Sequence, residues 1–179
     1  MFTPDKSVLL IIDVQGQLAR LMHDKENLFK NLQALIQAAQ ILEIPIIVTE
    51  QAPEKIGATV PEINQCLQGI SPIEKASFSC CLSNNFKKQL KSFHRRQIIV
   101  AGIETHVCVY QTVHDLLKQK YDIQVVANAV SSRTLENKTL ALERIKFLGA
   151  TLTSTEMMIC ELLRTSVHPK FKDVLKLIK

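Results

Sequence analysis

The sequence predicts a three-layer αβα protein of the α/β class: an open, mostly parallel sheet of about six strands, with helices on both faces. Three observations support this fold class. Apolar, β-branched runs alternate along the chain with segments whose apolar residues recur at helical spacing. The run Val8–Ile12 is apolar throughout, as in a strand buried on both faces. The 179 residues suit one domain over 1–179, and no repeat or linker interrupts the alternation.

The first half of the chain contains two predicted strands and two longer predicted helices. After the strand Val8–Ile12, apolar spacing predicts an amphipathic helix over Glu26–Leu42. The segment Ile44–Glu50, "IPIIVTE", returns to a strand pattern. Residues 51–72 are irregular, and we predict a long loop there with a short helix near Pro61–Leu67. Ser83 is a good N-cap for the helix in "SNNFKKQLKSFH".

The second half repeats the alternation of strands and helices. The predicted elements, in order, are the strand "QIIVAGI", a helix over Val107–Lys120, the strand "DIQVVANAV" with Asn128 at its end, a helix over Thr134–Leu148 ended by Gly149, the short strand "ATLTST", and helices over Glu156–Arg164 and Lys170–Ile178. Strands joined by helices of this length form parallel βαβ units. Ligands of such open sheets bind beyond the carboxyl ends of the strands, so residues that follow strands are the candidates for function.

Composition excludes several classes of protein. We find no apolar segment long enough to span a bilayer and no secretory signal at the N-terminus, and we predict a cytoplasmic protein with no membrane partner. Five cysteines without framework spacing indicate reduced thiols. The net charge of +5 is compatible with nucleic-acid binding. However, the basic residues of Phe86–Arg96 fit the solvated face of a helix, and we do not expect a nucleic-acid partner.

Three residues stand out as candidates for chemistry. Asp13 follows the first buried strand directly, where a carboxylate is costly unless it is paired or functional. Cys108 lies just beyond the strand "QIIVAGI", and Thr105 as N-cap would place it at a helix N-terminus, which lowers the pKa of a thiol. Lys75 lies just after the irregular residues 51–72, in "SPIEKASFS". Taken alone, a cysteine in such an apolar setting is more often a packing residue, and an isolated lysine such as Lys75 is normally a surface residue.

Together, the segments around these residues resemble a known family. "LLIIDVQ" with Asp13, "EKASFS" with Lys75 and "VAGIETHVCVYQTV" with Cys108 resemble the isochorismatase-like cysteine hydrolases, a superfamily that includes nicotinamidases and N-carbamoylsarcosine amidohydrolases. The similarity runs from about Ser7 to about Ser154. It implies a catalytic triad in which Cys108 is the nucleophile, Asp13 moves protons and Lys75 stabilises the charged groups.

The resemblance also implies a set of binding groups. A non-proline cis peptide at Ile103–Glu104 would bring the backbone N–H groups of Glu104 and Cys108 together as an oxyanion hole. We expect Gln51, Phe78 and Ile103 to contact the substrate, although a phenylalanine such as Phe78 is more often a core residue.

The segment after the second strand departs from the metal-binding relatives. It reads "TEQAPEKIG" and lacks the histidines that nicotinamidases carry there, so we predict no metal and no cofactor, and we disfavour nicotinamidase activity. His106 lies two positions from Cys108, but side chains at that spacing on a helix diverge by about 200°. A metal site at these two residues is therefore not expected.

The predicted function is hydrolysis of a C–N bond in a small amide through a covalent intermediate on Cys108. The alternatives are a non-catalytic binding protein that retains the hydrolase fold, and a vinyl-ether hydrolase of the isochorismatase type. The expected partners are a small-molecule substrate and further copies of the chain, because relatives in this superfamily form dimers and larger assemblies.

Overall fold

The first strand shows how the sequence builds the sheet. A computed structural model describes residues 1–178. In it the strand runs over Ser7–Ile12 and is buried throughout. Alternate side chains of a strand point to opposite faces. Leu9 and Ile11 therefore join one hydrophobic core, while Val8, Leu10 and Ile12 join a second core on the other face. Burial on both faces explains the unbroken apolar run.

Six strands form one sheet, and every pairing between them is parallel. In spatial order the sheet is β3-β2-β1-β4-β5-β6. The predicted fold class is therefore confirmed. The strands are β1 Ser7–Ile12, β2 Ile46–Gln51, β3 Ile73–Lys75, β4 Gln97–Ile103, β5 Asp122–Ser131 and β6 Thr151–Thr153.

Helices cover both faces of this sheet, which produces the three layers. The α-helices are α1 Gly16–Arg20, α2 Lys25–Ile41, α3 Pro53–Ile56, α4 Pro61–Asn64, α5 Asn84–Ser92, α6 Tyr110–Lys118, α7 Leu135–Phe147, α8 Thr155–Leu163 and α9 Phe171–Leu175. Helices α2 and α8 contribute to the core on one face, and α5, α6 and α7 to the core on the other. None of these helices has the length and apolar character needed to cross a membrane.

Several local predictions were wrong. No strand was predicted at β3, because three residues at the edge of a sheet carry too little periodicity to be recognised. Asn128 lies inside β5, which continues to Ser131 beyond an irregularity in its pairing with β4. The short helix α1 was not predicted. Ser83, in contrast, caps α5 as expected, its hydroxyl accepting a hydrogen bond from the N–H of Phe86.

The strand order places a crevice next to β1. The chain moves outward from β1 through β2 to β3, and then returns to the other side of β1 with β4. Ligands of open α/β sheets bind at such a reversal, beyond the carboxyl ends of the strands. Asp13 follows β1 and Cys108 follows β4, so the fold brings the ends of these neighbouring strands to the same edge.

Candidate active site

Asp13 occupies a constrained position at the end of β1. Its φ of 51° lies in the left-handed region, which Asp tolerates better than most residues. The side chain is buried, and each carboxylate oxygen accepts a hydrogen bond. Thr49 donates its hydroxyl to Oδ1 at 2.7 Å, and Lys75 donates from Nζ to Oδ2 at 2.6 Å. The carboxylate is thus held by two groups at the ends of β2 and β3.

Lys75 is a buried lysine and not a surface residue. It ends β3, and its side chain has 0% exposure, against 5% for Asp13. Beyond Asp13, its ammonium group donates to the backbone carbonyls of Ser77 at 3.0 Å and Phe78 at 3.3 Å. Lysines are almost never fully buried unless they are paired. The ion pair with Asp13 and the two carbonyls supply that pairing.

Cys108 lies in a π-helical turn over Thr105–Val109 that leads into α6. Its thiol is 3.2 Å from Oε1 of Gln51 and donates a hydrogen bond to it. Thr105 was predicted to cap this helix, but no side-chain cap is formed, and the Thr105 hydroxyl has no hydrogen-bond partner within residues 1–178. The helical conformation starts at Thr105, two residues before the predicted helix start at Val107. The cap position is therefore occupied by Glu104 and not by Thr105.

The expected lowering of the Cys108 pKa is also wrong. Burial raises the pKa of this thiol well above its ordinary value, and the negative charge of Asp13 raises it further, while Lys75 acts in the opposite direction. A charged thiolate is disfavoured in an apolar environment beside a carboxylate. At neutral pH the resting group is therefore the thiol, and a base must remove its proton when it reacts.

A cavity of about 390 Å³ lies at the end of β1 and β4, and Lys75 is not among the residues that line it. Asp13 and Cys108 both line it, and Gln51, Phe78 and Ile103 lie in its wall. Phe78 is 49% exposed, so its alternative placement in the core is wrong. The complete lining consists of Asp13, Gln15, Leu18, Gln51, Ile56, Phe78, Ile103, Glu104, Val107, Cys108 and Arg133.

Glu104 lines this cavity and lies directly after β4. The peptide bond between Ile103 and Glu104 is cis. The Glu104 carboxylate is buried and accepts a hydrogen bond at 2.8 Å from Nε of Arg133, whose side chain is 57% exposed. Sequence analysis missed Arg133, although it lies just beyond a strand. The strand-end criterion could have found it, because the predicted strand "DIQVVANAV" ends at Val130, three residues before Arg133.

Two further buried polar residues, Gln15 and Glu50, received no role in the sequence analysis, and both support the loop beside the cavity. The amide of Gln15 donates to the backbone carbonyls of Gln51 and Gly57, and its oxygen accepts from the Gln51 N–H at 2.6 Å. Glu50 accepts from both the N–H and the hydroxyl of Thr59, each at 2.6 Å. These contacts tie residues 52–59 to the ends of β1 and β2. Gln15 is the second polar residue of "DVQ", just beyond the first strand, so the sequence already marked it as a candidate.

Metal-ligating groups do not cluster in the part of the chain that the structure describes. Over residues 1–178 there is no group of three or more His, Cys, Asp or Glu side chains that could hold an ion. His106 contacts the hydroxyl of Ser132 through Nδ1 at 3.0 Å. The arrangement around Cys108 can therefore supply a nucleophile, a carboxylate to accept its proton, and a lysine to balance the charge.

Comparison with known proteins identifies similar chains. The isochorismatase domain matches residues 7–157. The isochorismatase domain-containing protein 2 of Danio rerio is 38% identical over 173 residues, which are 96% of this chain and 86% of that protein. A Caenorhabditis elegans structure named MAR1 ribonuclease is 39% identical with a TM-score of 0.93, covering 99% of this chain and 91% of that one. YcaC from Pseudomonas aeruginosa, solved with hexane-2,5-diol and covalent acrylamide, is 25% identical with a TM-score of 0.92, covering 98% and 90%.

Proposed function

This chain belongs to the isochorismatase family, and we propose that it is a cysteine hydrolase that cleaves the C–N bond of a small amide through a covalent bond to Cys108. One observation carries the proposal. Cys108 shares a cavity with the carboxylate of Asp13, which is paired at 2.6 Å with the buried ammonium of Lys75. A thiol, a base and a compensating cation are the groups that such a reaction requires.

The raised pKa of Cys108 determines how the proposed reaction begins. Because the resting group is a thiol, Asp13 accepts its proton as Sγ attacks the carbonyl carbon of the substrate. The negative charge then develops on the substrate oxygen. We assign its stabilisation to the backbone N–H groups of Glu104 and Cys108, two residues that line the cavity.

The remaining steps return the enzyme to its starting state. Asp13 gives its proton to the leaving nitrogen, the C–N bond breaks, and a thioester to Cys108 remains. Water then attacks the thioester carbon while Asp13 accepts a proton from it. The C–S bond breaks, the acid is released, and the proton returns to the Cys108 thiol. Throughout, Lys75 balances the charge of a carboxylate that has little access to water.

Covalent chemistry in a relative supports this proposal. The Pseudomonas aeruginosa YcaC, 25% identical to this chain, carries covalently bound acrylamide. Acrylamide is a small amide and an electrophile, so that protein contains a nucleophile able to reach it. In this chain Cys108 is the cysteine that lines the cavity, whereas Cys80 is fully buried in the core and Cys160 is exposed.

A phosphodiester fits the cavity less well than an amide does. The Caenorhabditis elegans relative is named a ribonuclease, which makes RNA a rival substrate to test. The cavity lining contains two carboxylates, Asp13 and Glu104, and one cation, Arg133, which is already paired with Glu104. A polyanion binds where cations are in excess. Vinyl-ether hydrolysis and ligand binding without catalysis are the two remaining rivals to amide cleavage.

A screen with matched variants tests the proposal. The protein, Cys108→Ala and Cys160→Ala are incubated with small amides, ureas, vinyl ethers and RNA, and product and intact protein mass are measured. We expect turnover of an amide with a transient acyl adduct, lost in Cys108→Ala and retained in Cys160→Ala, at unchanged circular dichroism. Turnover that survives in Cys108→Ala, or an adduct on another cysteine, would contradict the mechanism. RNA cleavage that depends on Cys108 would favour the rival substrate.

Self-association and a cytoplasmic location stay predictions. Light scattering coupled to size-exclusion chromatography tests the first, because a dimer or larger assembly would have a mass of at least twice 20.2 kDa.

A further inference from the structure

The carboxylate of Asp13 is held from behind the cavity by Thr49, a residue that the proposed mechanism does not use. Thr49 lies on β2 opposite Ile12, and its carbonyl oxygen accepts a hydrogen bond at 3.1 Å from the Asp13 N–H. Its hydroxyl donates to Oδ1 of Asp13 at 2.7 Å, and it is not among the residues that line the cavity. The pairing of β1 with β2 thus fixes the position of a hydroxyl that contacts the base.

The Thr49 hydroxyl has a second neighbour, the thiol of Cys80. Oγ1 and Sγ are 3.8 Å apart, and both residues are fully buried. A hydroxyl has one proton, and an ionised carboxylate is a better acceptor than a sulfur. The hydroxyl proton therefore goes to Asp13, and the Cys80 thiol is the donor in the second contact. Burial raises the pKa of Cys80 from 9.0 to about 11, so this thiol keeps its proton at neutral pH.

The two hydrogen bonds to the Asp13 carboxylate differ in kind. Titratable side chains reach Asp13 or its cavity from several elements, namely Lys75 of β3, Cys80 just after β3, Cys108 and Glu104 after β4, and Arg133 after β5. Lys75 supplies a positive charge to the carboxylate, whereas Thr49 supplies a neutral donor. Loss of the Thr49 hydroxyl would therefore leave every charge around Asp13 in place and remove one hydrogen bond to its ionised form.

We propose that Thr49 and Cys80 are positioning residues for the base Asp13. Cys80 donates to the Thr49 hydroxyl, which donates to Asp13, and this network sets the pH range in which the nucleophile reacts. The inference rests on the proposed role of Asp13. A donor to a carboxylate stabilises its charged form, which is the form that accepts the thiol proton. The Cys80 proton occupies the acceptor side of Oγ1 and so keeps the hydroxyl turned towards the carboxylate.

Alkylation by iodoacetamide tests this inference without knowledge of the substrate. Sγ of Cys108 forms a bond to carbon, iodide leaves, and the thiol proton passes to Asp13 and then to solvent. The rate of modification at Cys108 is followed by peptide mass spectrometry across the acid and neutral pH range. The readout is the pH at which the rate falls to half of its maximum on the acid side, the acid midpoint.

Variants of Thr49 separate its hydroxyl from its shape. Thr49→Val keeps the branched shape, removes the hydroxyl and changes no charge. We expect its acid midpoint to rise by roughly one to two pH units, the shift that loss of a hydrogen bond to a charged group produces. Thr49→Ser keeps a hydroxyl and should leave the acid midpoint close to that of the unmodified protein. A merely structural role would lower the rate at every pH without moving the midpoint.

Two adjacent buried cysteines provide a matched pair. Cys80→Ala removes the first donor of the network and should raise the acid midpoint by roughly a few tenths of a pH unit, because sulfur is a weak donor. The Cys81 thiol lies 4.0 Å from the carbonyl oxygen of Thr112 and donates there instead. Cys81→Ala should therefore leave the midpoint unchanged.

Urea unfolding accompanies each variant, and Thr49→Ala, which removes the same hydroxyl, replaces Thr49→Val if that protein does not fold. An unchanged midpoint in the variant without the hydroxyl, or an equal shift in Thr49→Ser, would overturn the inference while leaving the nucleophile intact. Equal shifts in Cys80→Ala and Cys81→Ala would overturn the assignment of Cys80. A Cys108 that is not alkylated at any pH would overturn the proposed function as well.

Discussion

Replacing Lys75 with methionine removes the cation from a buried ion pair and leaves the Asp13 carboxylate without its charged partner. The two side chains are 0% and 5% exposed, and their charged atoms are 2.6 Å apart. At an effective dielectric constant near 20, charges at this distance attract by about 6 kcal/mol, and the cost of burying both groups offsets much of that attraction. Breaking such a pair from one side destabilises a protein by about 3–5 kcal/mol.

A double-mutant cycle isolates the pair from its surroundings. Asp13→Asn preserves the residue shape and suits the left-handed backbone at this position, where φ is 51°. We expect Lys75→Met to lower the free energy of unfolding by about 3–5 kcal/mol, and the double variant Asp13→Asn/Lys75→Met to lose less than the sum of the single losses, with a coupling of about 2–3 kcal/mol.

The assay is equilibrium unfolding in urea, followed by far-ultraviolet circular dichroism because the chain has no tryptophan. A matched exposed pair serves as the control. Lys176 and Asp173 are 3.4 Å apart and 74% and 58% exposed, so their cycle should give less than about 1 kcal/mol. A coupling between Asp13 and Lys75 that is no larger than this control would refute the argument that burial makes the pair strong.

Two further predictions concern stability. Gly102→Ala should lower the free energy of unfolding by about 3 kcal/mol or more, because φ is 117° and a Cβ would lie 2.2 Å from the carbonyl oxygen of Ile12. Gly149→Ala, with φ of 104° and nothing within 4 Å, should cost only about 1–2 kcal/mol, and equal losses in urea unfolding would reject the steric argument. Burial raises the pKa of the Cys80 thiol from 9.0 to about 11, so the unfolded chain loses this proton first as pH rises. The contribution of the Cys80 thiol to the free energy of unfolding is fully present below pH 9. It is lost as the pH rises from 9 to 11, which lowers the free energy of unfolding by about 3 kcal/mol. Unfolding at pH 8 and pH 11 should show a smaller difference in Cys80→Ala, and an identical difference would contradict this assignment.

Local patterns in the sequence predict the layers of the fold and point to two of the three candidate catalytic residues. Buried strands are apolar without interruption and the helices are apolar at helical spacing, because each side chain must face a core or the solvent. Asp13 and Cys108 follow two such strands, so their approach at one edge of the sheet could be predicted from local patterns. The resemblance to a family then linked them to Lys75.

Contacts between distant parts of the chain account for the features of the site that local sequence patterns could not predict. Lys75 ends a strand of only three residues, and its burial depends on Asp13, which is 62 positions away in the chain. Arg133 lies just beyond the end of β5 and reaches the cavity beside Glu104, which follows β4. The pKa of Cys108 is raised where a helix N-terminus predicted a fall, because the folded chain buries the thiol and places Asp13 beside it. Burial and neighbouring charge come from distant parts of the chain, and those contacts exist only in the folded protein.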